Sequence, residues 1–101
     1  MNLIWTLLAK KSFNKNIEYL EENWTVNTVQ NFILEVEKVM EILIENSNCF
    51  QEWEFDTSFR KGHIDKHISF FYKIHDKEIV VYLFWNNFQN PKKIKQKLLK
   101  S

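Results

Sequence analysis

The chain has 101 residues, 45% of them hydrophobic and 16% aromatic, so we expect one ordered domain, residues 1–101, with its own core. Cys49 is the only cysteine, which excludes an internal disulfide and a Cys/His zinc cluster, and no metal or other cofactor is expected. No apolar run approaches the roughly 18 residues of a membrane span and no export signal is visible, so we expect a cytoplasmic protein without a membrane partner.

Charge is distributed unevenly along the chain, although the net charge is only +1. Residues 1–56 hold four basic and ten acidic side chains, whereas residues 57–101 hold ten basic and three acidic ones. The basic half permits an anionic partner, and a set of solvated lysines explains it equally well.

The first half of the chain predicts a strand and two helices. Alternation over residues 3–7 predicts a short strand, and apolar residues at helical spacing predict a helix from Ala9 to Trp24. Thr25 is a suitable N-cap for a second helix that reaches about Glu45, and the short link makes the two helices an antiparallel hairpin. The core residues predicted here are Trp5, Phe13, Ile17, Trp24, Phe32 and Val36.

A long strand is predicted next, from about Phe50 to Arg60, because large apolar residues alternate with charged ones. Lys61-Gly62 contains the only glycine and predicts a tight hairpin turn, since glycine tolerates the positive φ that such turns require. The pairs that follow from this turn are Phe59 with Ile64, Phe55 with Ile68 and Trp53 with Phe70.

Residues 68–74 and 79–85 are two β-rich runs that predict a hairpin with its turn at Asp76-Lys77. The predicted pairs on its core face are Ile74–Ile79, Tyr72–Val81, Phe70–Leu83 and Ile68–Trp85. The pairs on its other face are Lys73–Val80, Phe71–Tyr82 and Ser69–Phe84. We interpret this second, partly aromatic face as the candidate working surface.

The C-terminal segment predicts a polar loop over residues 86–90 and then a helix over residues 92–100, because Asn90-Pro91 is a typical helix start. The predicted fold class is therefore α+β, in the order β-α-α-β-β-β, with an antiparallel sheet and a two-helix antiparallel hairpin packed on one face. A short basic C-terminal helix or tail completes it. The other sheet face is expected to stay open.

The predicted registers place candidate catalytic side chains on that open face. Arg60 lies beside His63, and Asp56 lies beside His67, where a carboxylate can orient an imidazole. Opposite charges across strands are also ordinary sheet stabilisation, and we favour that interpretation of the Asp56–His67 pair. The candidate catalytic residues are Arg60, His63 and His67.

Partner binding is the alternative use of the same face. Its aromatic rings can stack nucleic-acid bases or hold a peptide, and we favour a peptide because a large exposed aromatic patch usually marks a protein interface. The acidic side chains at Glu52, Glu54 and Asp56 would also repel an RNA backbone. The candidate partner-binding residues are Phe71, Tyr82, Phe84, Arg60, Lys92, Lys93 and Lys95.

Several segments, in their order along the chain, carry a resemblance to a known family. They are IWTLLAKKSFNKNIEYLEENW, NFILEVEKVMEIL, SFRKGHI, ISFFYKI, KEIVVYLFW and NFQNPKKI. Through them nearly the whole chain resembles the RelE/ParE superfamily of bacterial type II toxins. The resemblance implies the two-helix, antiparallel-sheet fold and a small toxin encoded beside an antitoxin. An extended or helical segment of that antitoxin would wrap the toxin and mask its active surface.

The branch of the superfamily decides the expected activity, since RelE-like members cut messenger RNA in the ribosome and ParE-like members poison DNA gyrase. RelE-like enzymes often carry arginine where this chain has Ser69 and again where it has Phe88, whereas Arg60 is common to both branches. The resemblance therefore favours a ParE-like toxin that inhibits DNA gyrase by binding and is neutralised by a cognate antitoxin. The alternatives are a RelE-like endoribonuclease that acts with the ribosome and messenger RNA, and a degenerate, non-toxic partner-binding relative.

Overall fold

The computed structural model describes residues 1–100, which form five strands and three α-helices. In chain order these are β1 (Asn2–Trp5), α1 (Leu7–Asn23), α2 (Val26–Glu45), β2 (Glu52–Trp53), β3 (Asp56–His63), β4 (Ile68–His75), β5 (Glu78–Asn86) and α3 (Ile94–Leu99). The strand order is β1-β5-β4-β3-β2, with β1 parallel to β5 and the other neighbours antiparallel. The α+β class and the helical hairpin are confirmed. Nowhere in residues 1–100 is a helix both long and apolar enough to cross a membrane.

Both long helices begin at a threonine N-cap. Thr6 Oγ1 accepts a hydrogen bond from the backbone N–H of Ala9 at 3.1 Å, so α1 starts two residues earlier than the apolar stripe suggests. Thr25 caps α2 as predicted. Trp24 was expected in the core, and that prediction is wrong. Because α1 ends at Asn23 and Trp24 takes an extended backbone conformation, its side chain is 56% exposed.

The single strand predicted over residues 50–60 is wrong, because Glu54-Phe55 form a turn that divides it into β2 and β3. The turn predicted at Lys61-Gly62 is wrong as well: Gly62 lies inside β3, opposite Phe70. Its missing side chain allows a close approach, since a Cβ there would lie 2.3 Å from Phe70 Cζ and 3.0 Å from Phe50 Cδ2.

Because the turn does not lie at Lys61-Gly62, the three strand pairs predicted from it are also wrong. They are Phe59–Ile64, Phe55–Ile68 and Trp53–Phe70. The observed partners across β3 and β4 include Arg60 with Tyr72 and His63 with Ser69. Residues 64–67 make the actual connection, in which Asp65 Oδ1 accepts hydrogen bonds from the backbone N–H groups of His67 and Ile68 at 2.7 and 2.9 Å. An aspartate that bonds its own following backbone supplies the turn that glycine was expected to supply.

The β4–β5 hairpin has the predicted turn, with Asp76 at φ 55°, and the predicted pairs next to it, Tyr72 with Val81 and Ile74 with Ile79. A β-bulge between Phe71 and Tyr72 then shifts the register, because Tyr82 is an extra residue on β5. The pairs beyond the bulge are Phe71–Leu83, Phe70–Phe84, Ser69–Trp85 and Ile68–Asn86. The four predicted pairs in this part, Phe70–Leu83, Ile68–Trp85, Phe71–Tyr82 and Ser69–Phe84, are therefore wrong.

The sheet has two buried faces, and the bulge decides which β5 residues lie on each of them. The face under α1 and α2 holds a large cluster that includes Phe32, Phe70, Tyr72 and Phe84. The opposite face holds a second cluster, whose buried members are Trp53, Phe59, Phe71, Leu83, Trp85, Ile94 and Leu98. Ile94 and Leu98 come from α3, which packs on the face that was expected to stay open. That expectation is wrong, because the short amphipathic helix covers the aromatic residues there.

The edge of β5 is completed by side chains of α1. Strand β1 pairs with β5 only as far as Trp5 opposite Val81. Beyond that point the hydroxyl of Ser12 accepts a hydrogen bond from Phe84 N at 2.9 Å, and the Asn16 amide donates to Phe84 O at 3.5 Å. Ser12 and Asn16 are both buried, so two polar side chains on a helix satisfy backbone groups that a strand would otherwise satisfy.

The fit of Gly62 against Phe70 leads to a stability prediction. Gly62→Ala is expected to lower the free energy of unfolding by about 2 kcal/mol, since the added methyl overlaps a ring that is itself fully buried. Urea unfolding measures the change. In the background of Phe70→Leu, which removes the overlapping ring atoms, the same glycine replacement should cost much less. A Gly62→Ala protein as stable as the parent would contradict the close approach.

The bond from Phe84 N to Ser12 leads to a second stability prediction. Ser12→Ala leaves a buried backbone N–H without an acceptor and should cost about 1–3 kcal/mol in urea unfolding. Ser58→Ala is the matched control, since Ser58 is exposed and its hydroxyl bonds only the neighbouring Asp56. Equal losses from the two replacements would show that α1 does not complete the β5 edge.

Candidate functional site

Arg60 lies on the helix side of the sheet, because its neighbour across the strands is Tyr72 of the helix-side core. Its guanidinium donates from Nη1 to the backbone carbonyl of Phe50 at 2.7 Å. Arg60 therefore fixes the segment between α2 and β2. The predicted position beside His63 on the opposite face is wrong, because successive residues of a strand point to opposite faces and Arg60 and His63 are three positions apart.

His63 belongs to a short hydrogen-bonded chain at the other end of β3. Asn87 Nδ2 donates to the carbonyl of Lys66 at 3.3 Å, which leaves Asn87 Oδ1 to accept from the Ser69 hydroxyl at 3.1 Å. Since that hydroxyl has one proton, His63 Nδ1, 3.2 Å from it, is the donor in their contact. Ser69 is fully buried and its proton points to an amide, so this chain is not a nucleophilic serine site.

The imidazole of His63 lies at the protein surface, with its Nδ1 side turned toward the buried serine. Partial desolvation lowers its pKa below the usual 6.5, and the positive charge of Lys61 lowers it further. At neutral pH His63 is therefore a neutral imidazole whose Nε2 is an acceptor.

His67 and Asp56 are not neighbours, so the predicted carboxylate–imidazole pair is wrong. Asp56 opens β3, and its carboxylate accepts hydrogen bonds from the Ser58 hydroxyl at 2.7 Å and the Ser58 N–H at 3.0 Å, which lower its pKa. His67 lies in the turn that follows β3, where its ring stacks on Phe88 with 5.0 Å between centroids. Each group has local partners of its own.

The three candidate catalytic residues are thus separated: Arg60 under the helices, His63 on the opposite face and His67 in a connecting turn. Within residues 1–100, no group of three or more His, Cys, Asp or Glu side chains is placed to hold a metal ion. These three side chains therefore form no cluster of cations and acid–base groups around one point.

Two of the three aromatic candidates for partner binding are buried, and the third is partly exposed. Phe71 is fully buried under α3, and Phe84 is 1% exposed in the helix-side core. Neither ring is accessible to a partner in this conformation, so their expected exposure is wrong for the same two reasons, the bulge and the position of α3. Tyr82, the bulged residue, is half-buried and keeps part of its ring at the surface.

Tyr82 borders a small hollow of about 270 Å³, which we call the Tyr82 hollow. The Tyr82 ring packs edge-on against the Phe59 ring, with 5.3 Å between their centroids. Lys73 Nζ lies 4.4 Å from the centre of the Phe59 ring. Lys95 reaches it from α3 and donates to the carbonyl of Phe55 at 3.3 Å. The full lining is Trp53, Asp56, Phe59, Lys73, Tyr82, Lys95, Leu98 and Leu99.

A larger groove of about 640 Å³ lies between α1 and the C-terminal segment, and four lysines line it. We call it the basic groove and define it by Lys11, Lys15, Lys93 and Lys97. Lys93 was a partner-binding candidate and Lys97 belongs to the predicted basic C-terminal helix, whereas Lys11 and Lys15 were not selected from the sequence. Their spacing was a usable signal, since Lys11 and Lys15, like Lys93 and Lys97, are four residues apart and share one side of a helical segment.

A third concave surface, of about 290 Å³, lies where the helical hairpin meets the loop after β5. Trp24, Tyr19 and Phe88 line it, and all three are exposed. Sequence reasoning assigned Trp24 to the core because a helical stripe does not reveal where the underlying sheet ends.

The chain matches the family model of the ParE toxin of the type II toxin-antitoxin system parDE over residues 3–98. No curated protein sequence matches it. Its fold is similar to a chain of the chromosomal ParDE TA system from P. aeruginosa, with a TM-score of 0.72 and 15% identity over 85% of this chain and 95% of that one. It is also similar to the YoeB/ParE toxin from Agrobacterium tumefaciens, with a TM-score of 0.61 and 11% identity over 85% and 98% of the two chains.

A further similar structure is that of the E. coli DinJ-YafQ complex, with a TM-score of 0.58 and 12% identity over 86% of this chain and 93% of that chain. Identities this low show a shared fold alone. The family rests on the sequence model, which spans residues 3–98 and therefore nearly all of the chain. This protein belongs to the ParE toxin family of type II toxin-antitoxin systems, within the RelE/ParE superfamily.

Proposed function

We propose that this protein is a toxin that arrests DNA gyrase by binding to it, without cutting a bond itself. The observation that carries the proposal is the separation of Arg60, His63 and His67 onto two faces and a turn. Cleavage of RNA by attack of its 2′-hydroxyl needs cations at the scissile phosphate and an acid–base group within reach of the same atom. These three side chains do not meet that requirement.

The covered sheet face supports the same conclusion. Ser69, which stands where a RelE-like nuclease often has arginine, is fully buried. Phe71, next to it, is sealed under α3, whose Ile94 and Leu98 belong to the same cluster. A face filled by apolar side chains excludes the phosphate backbone of an RNA, because an unpaired charge is costly to bury.

The Tyr82 hollow is the proposed contact surface for the target. It combines a partly exposed aromatic ring with two cations, Lys73 and Lys95, at the edge of α3. Lys92 and Lys93 extend the positive charge along the exposed side of the preceding turn. Aromatic rings bordered by charge are common at the centres of protein interfaces. Phe71 remains part of this surface only as a buried support.

Neutralisation by a cognate antitoxin is the second part of the proposal. The family is defined by type II toxin-antitoxin systems, and the neighbours include a ParDE system and a DinJ-YafQ complex. We place residues 1–101 in one toxin domain that acts in the cytoplasm and is held inactive by a partner encoded beside it. Co-expression of the adjacent reading frame should restore growth.

A supercoiling assay tests the proposed target. Purified protein should inhibit DNA supercoiling by gyrase, and Tyr82→Ala together with Lys95→Ala should weaken the inhibition about tenfold, as expected for the loss of a central contact. Lys77→Ala, in the exposed β4–β5 turn, is the matched control and should inhibit like the parent.

A ribosome-dependent cleavage assay with the same preparations tests the nuclease alternative. Messenger RNA should remain intact. Cleavage of messenger RNA by a protein that leaves gyrase unaffected would overturn the binding mechanism and support the nuclease alternative. Absence of growth arrest on expression without the antitoxin would instead support a degenerate relative.

A further inference from the structure

Three exposed aromatic rings surround the concave surface between the helical hairpin and the loop after β5. We call it the Trp24 pocket and define it by Tyr19, Trp24, Phe88, Glu35 and Asp65. Tyr19 and Trp24 lie at the C-terminal end of α1, and Phe88 lies in the loop. Its volume of about 290 Å³ is close to the lower end of the range for small-molecule sites.

The ring of Phe88 has a defined position although it is exposed. Its backbone N–H donates to Asn86 Oδ1 at 2.9 Å, and its ring stacks on the His67 ring with an angle of 25° between their planes. Phe32 and Ile68 of the helix-side core also line the pocket, and both are buried. The pocket therefore has an apolar base and an aromatic rim in the absence of a ligand.

The charge of the lining is negative. Glu35 and Asp65 belong to it, and it contains no lysine or arginine. Asp65 Oδ1 accepts from the N–H groups of His67 and Ile68, so its other oxygen has no hydrogen-bond partner within residues 1–100. Glu35 pairs with Lys38 at 3.8 Å, but both side chains are largely exposed, and such pairs contribute little. Both carboxylates are thus available to attract a cation.

The shortage of free acceptors favours a particular kind of cation. The face of an aromatic ring attracts an ammonium or guanidinium group, and tryptophan does so best. A guanidinium carries five N–H donors, which need acceptors. In the pocket, Asp65 Oδ1 already accepts two bonds, and the Thr28 hydroxyl already contacts the Thr25 hydroxyl at 3.1 Å. A quaternary ammonium has no N–H group and fits an apolar, negatively charged site of this kind.

We propose that the Trp24 pocket binds a small organic cation of the quaternary ammonium type. Its alkyl groups lie against the rings of Tyr19, Trp24 and Phe88, and Glu35 and Asp65 balance its charge. Tyr19 and Phe88 also line the basic groove, so two adjoining cavities differ in the sign of their charge. The inference goes beyond the proposed function and does not rest on it, since it gives the protein a small-molecule ligand.

Choline and its neutral carbon analogue, a dimethylbutanol in which carbon replaces the ammonium nitrogen, test the role of charge on the whole protein. In NMR titrations choline should cause saturable shifts of the Trp24 indole N–H signal, assigned with Trp24→Phe, and of the Ile68 methyl signals. Choline should bind at least about fivefold more tightly than the analogue, because only the cation is attracted by the ring faces and the carboxylates.

Replacement of one ring locates the site. Trp24→Leu keeps an apolar side chain but removes the aromatic face, and it should weaken choline binding, measured at the Ile68 methyl signals, at least about fivefold. Phe55→Leu is the matched control, since Phe55 is exposed and lies outside the pocket. It should leave choline binding within about twofold of the parent.

Removal of charge separates the carboxylates from the apolar lining. Glu35→Gln with Asp65→Asn should weaken choline at least about fivefold and leave the neutral analogue within about twofold. Asparagine at position 65 keeps an oxygen that can accept the two backbone bonds of the turn. Glu37→Gln with Glu41→Gln removes the same charge from exposed positions of α2 outside the pocket, and choline should then bind within about twofold of the parent.

Four results would each overturn the proposal. They are equal binding of choline and its carbon analogue, equal effects of the pocket and control variants, absence of saturable shifts at about 100 mM choline, and tighter binding of acetylated, amidated arginine than of choline. The last result would assign the pocket to a side chain of a partner protein. None of the measurements involves gyrase or an antitoxin, so failure here is distinguishable from failure of the proposed function.

Discussion

The register shift between β4 and β5 is the constraint on which the rest of the molecule depends. Tyr82 is one residue more than regular pairing can accommodate, so every β5 side chain after it changes face relative to regular pairing. Phe84 turns under α1, while Leu83 and Trp85 turn to the side where α3 packs. Without this shift α3 would face a different set of side chains, and the helix-side core would lose the ring that contacts both Trp5 and Phe13.

The same shift determines what the surface can do. It places Leu83 and Trp85 in the apolar cluster of the second sheet face, and α3 covers that cluster and removes Phe71 from solvent. The charged groups are then left at the margins, in the Tyr82 hollow on one side and the basic groove on the other. Charged and aromatic groups around a sealed face are suited to contact with another macromolecule, and this supports the binding mechanism that we propose.

Sequence reasoning recovered what depends on local chemistry. Thr25 and Asn90 cap helical segments as expected, and Asp76-Lys77 forms the predicted turn. It failed where the outcome depends on packing between distant residues. Gly62 was assigned to a turn because glycine is common there, whereas its function is to make room for the Phe70 ring. Alternating patterns also predict two faces without revealing a bulge, since the period is two on both sides of the extra residue.

The candidate site was likewise predictable where it depends on residue type and not where it depends on packing between distant residues. Residue types were enough to select His63 and Tyr82 as surface groups, but their neighbours depended on a register that one bulge and one misplaced turn made wrong. The basic groove was hidden for another reason, because its lysines come from the two ends of the chain. Their common location appears only when α1 and α3 lie on either side of the β5 edge.

The position of α3 on the second face of the sheet can be measured in solution by nuclear Overhauser effects between methyl groups and aromatic rings, because such effects arise only between protons that are close in space. Strong effects are expected from the methyls of Ile94 and Leu98 to the rings of Phe71 and Trp85. Absence of these effects in a folded protein, with α3 free in solution, would show that the second face is open.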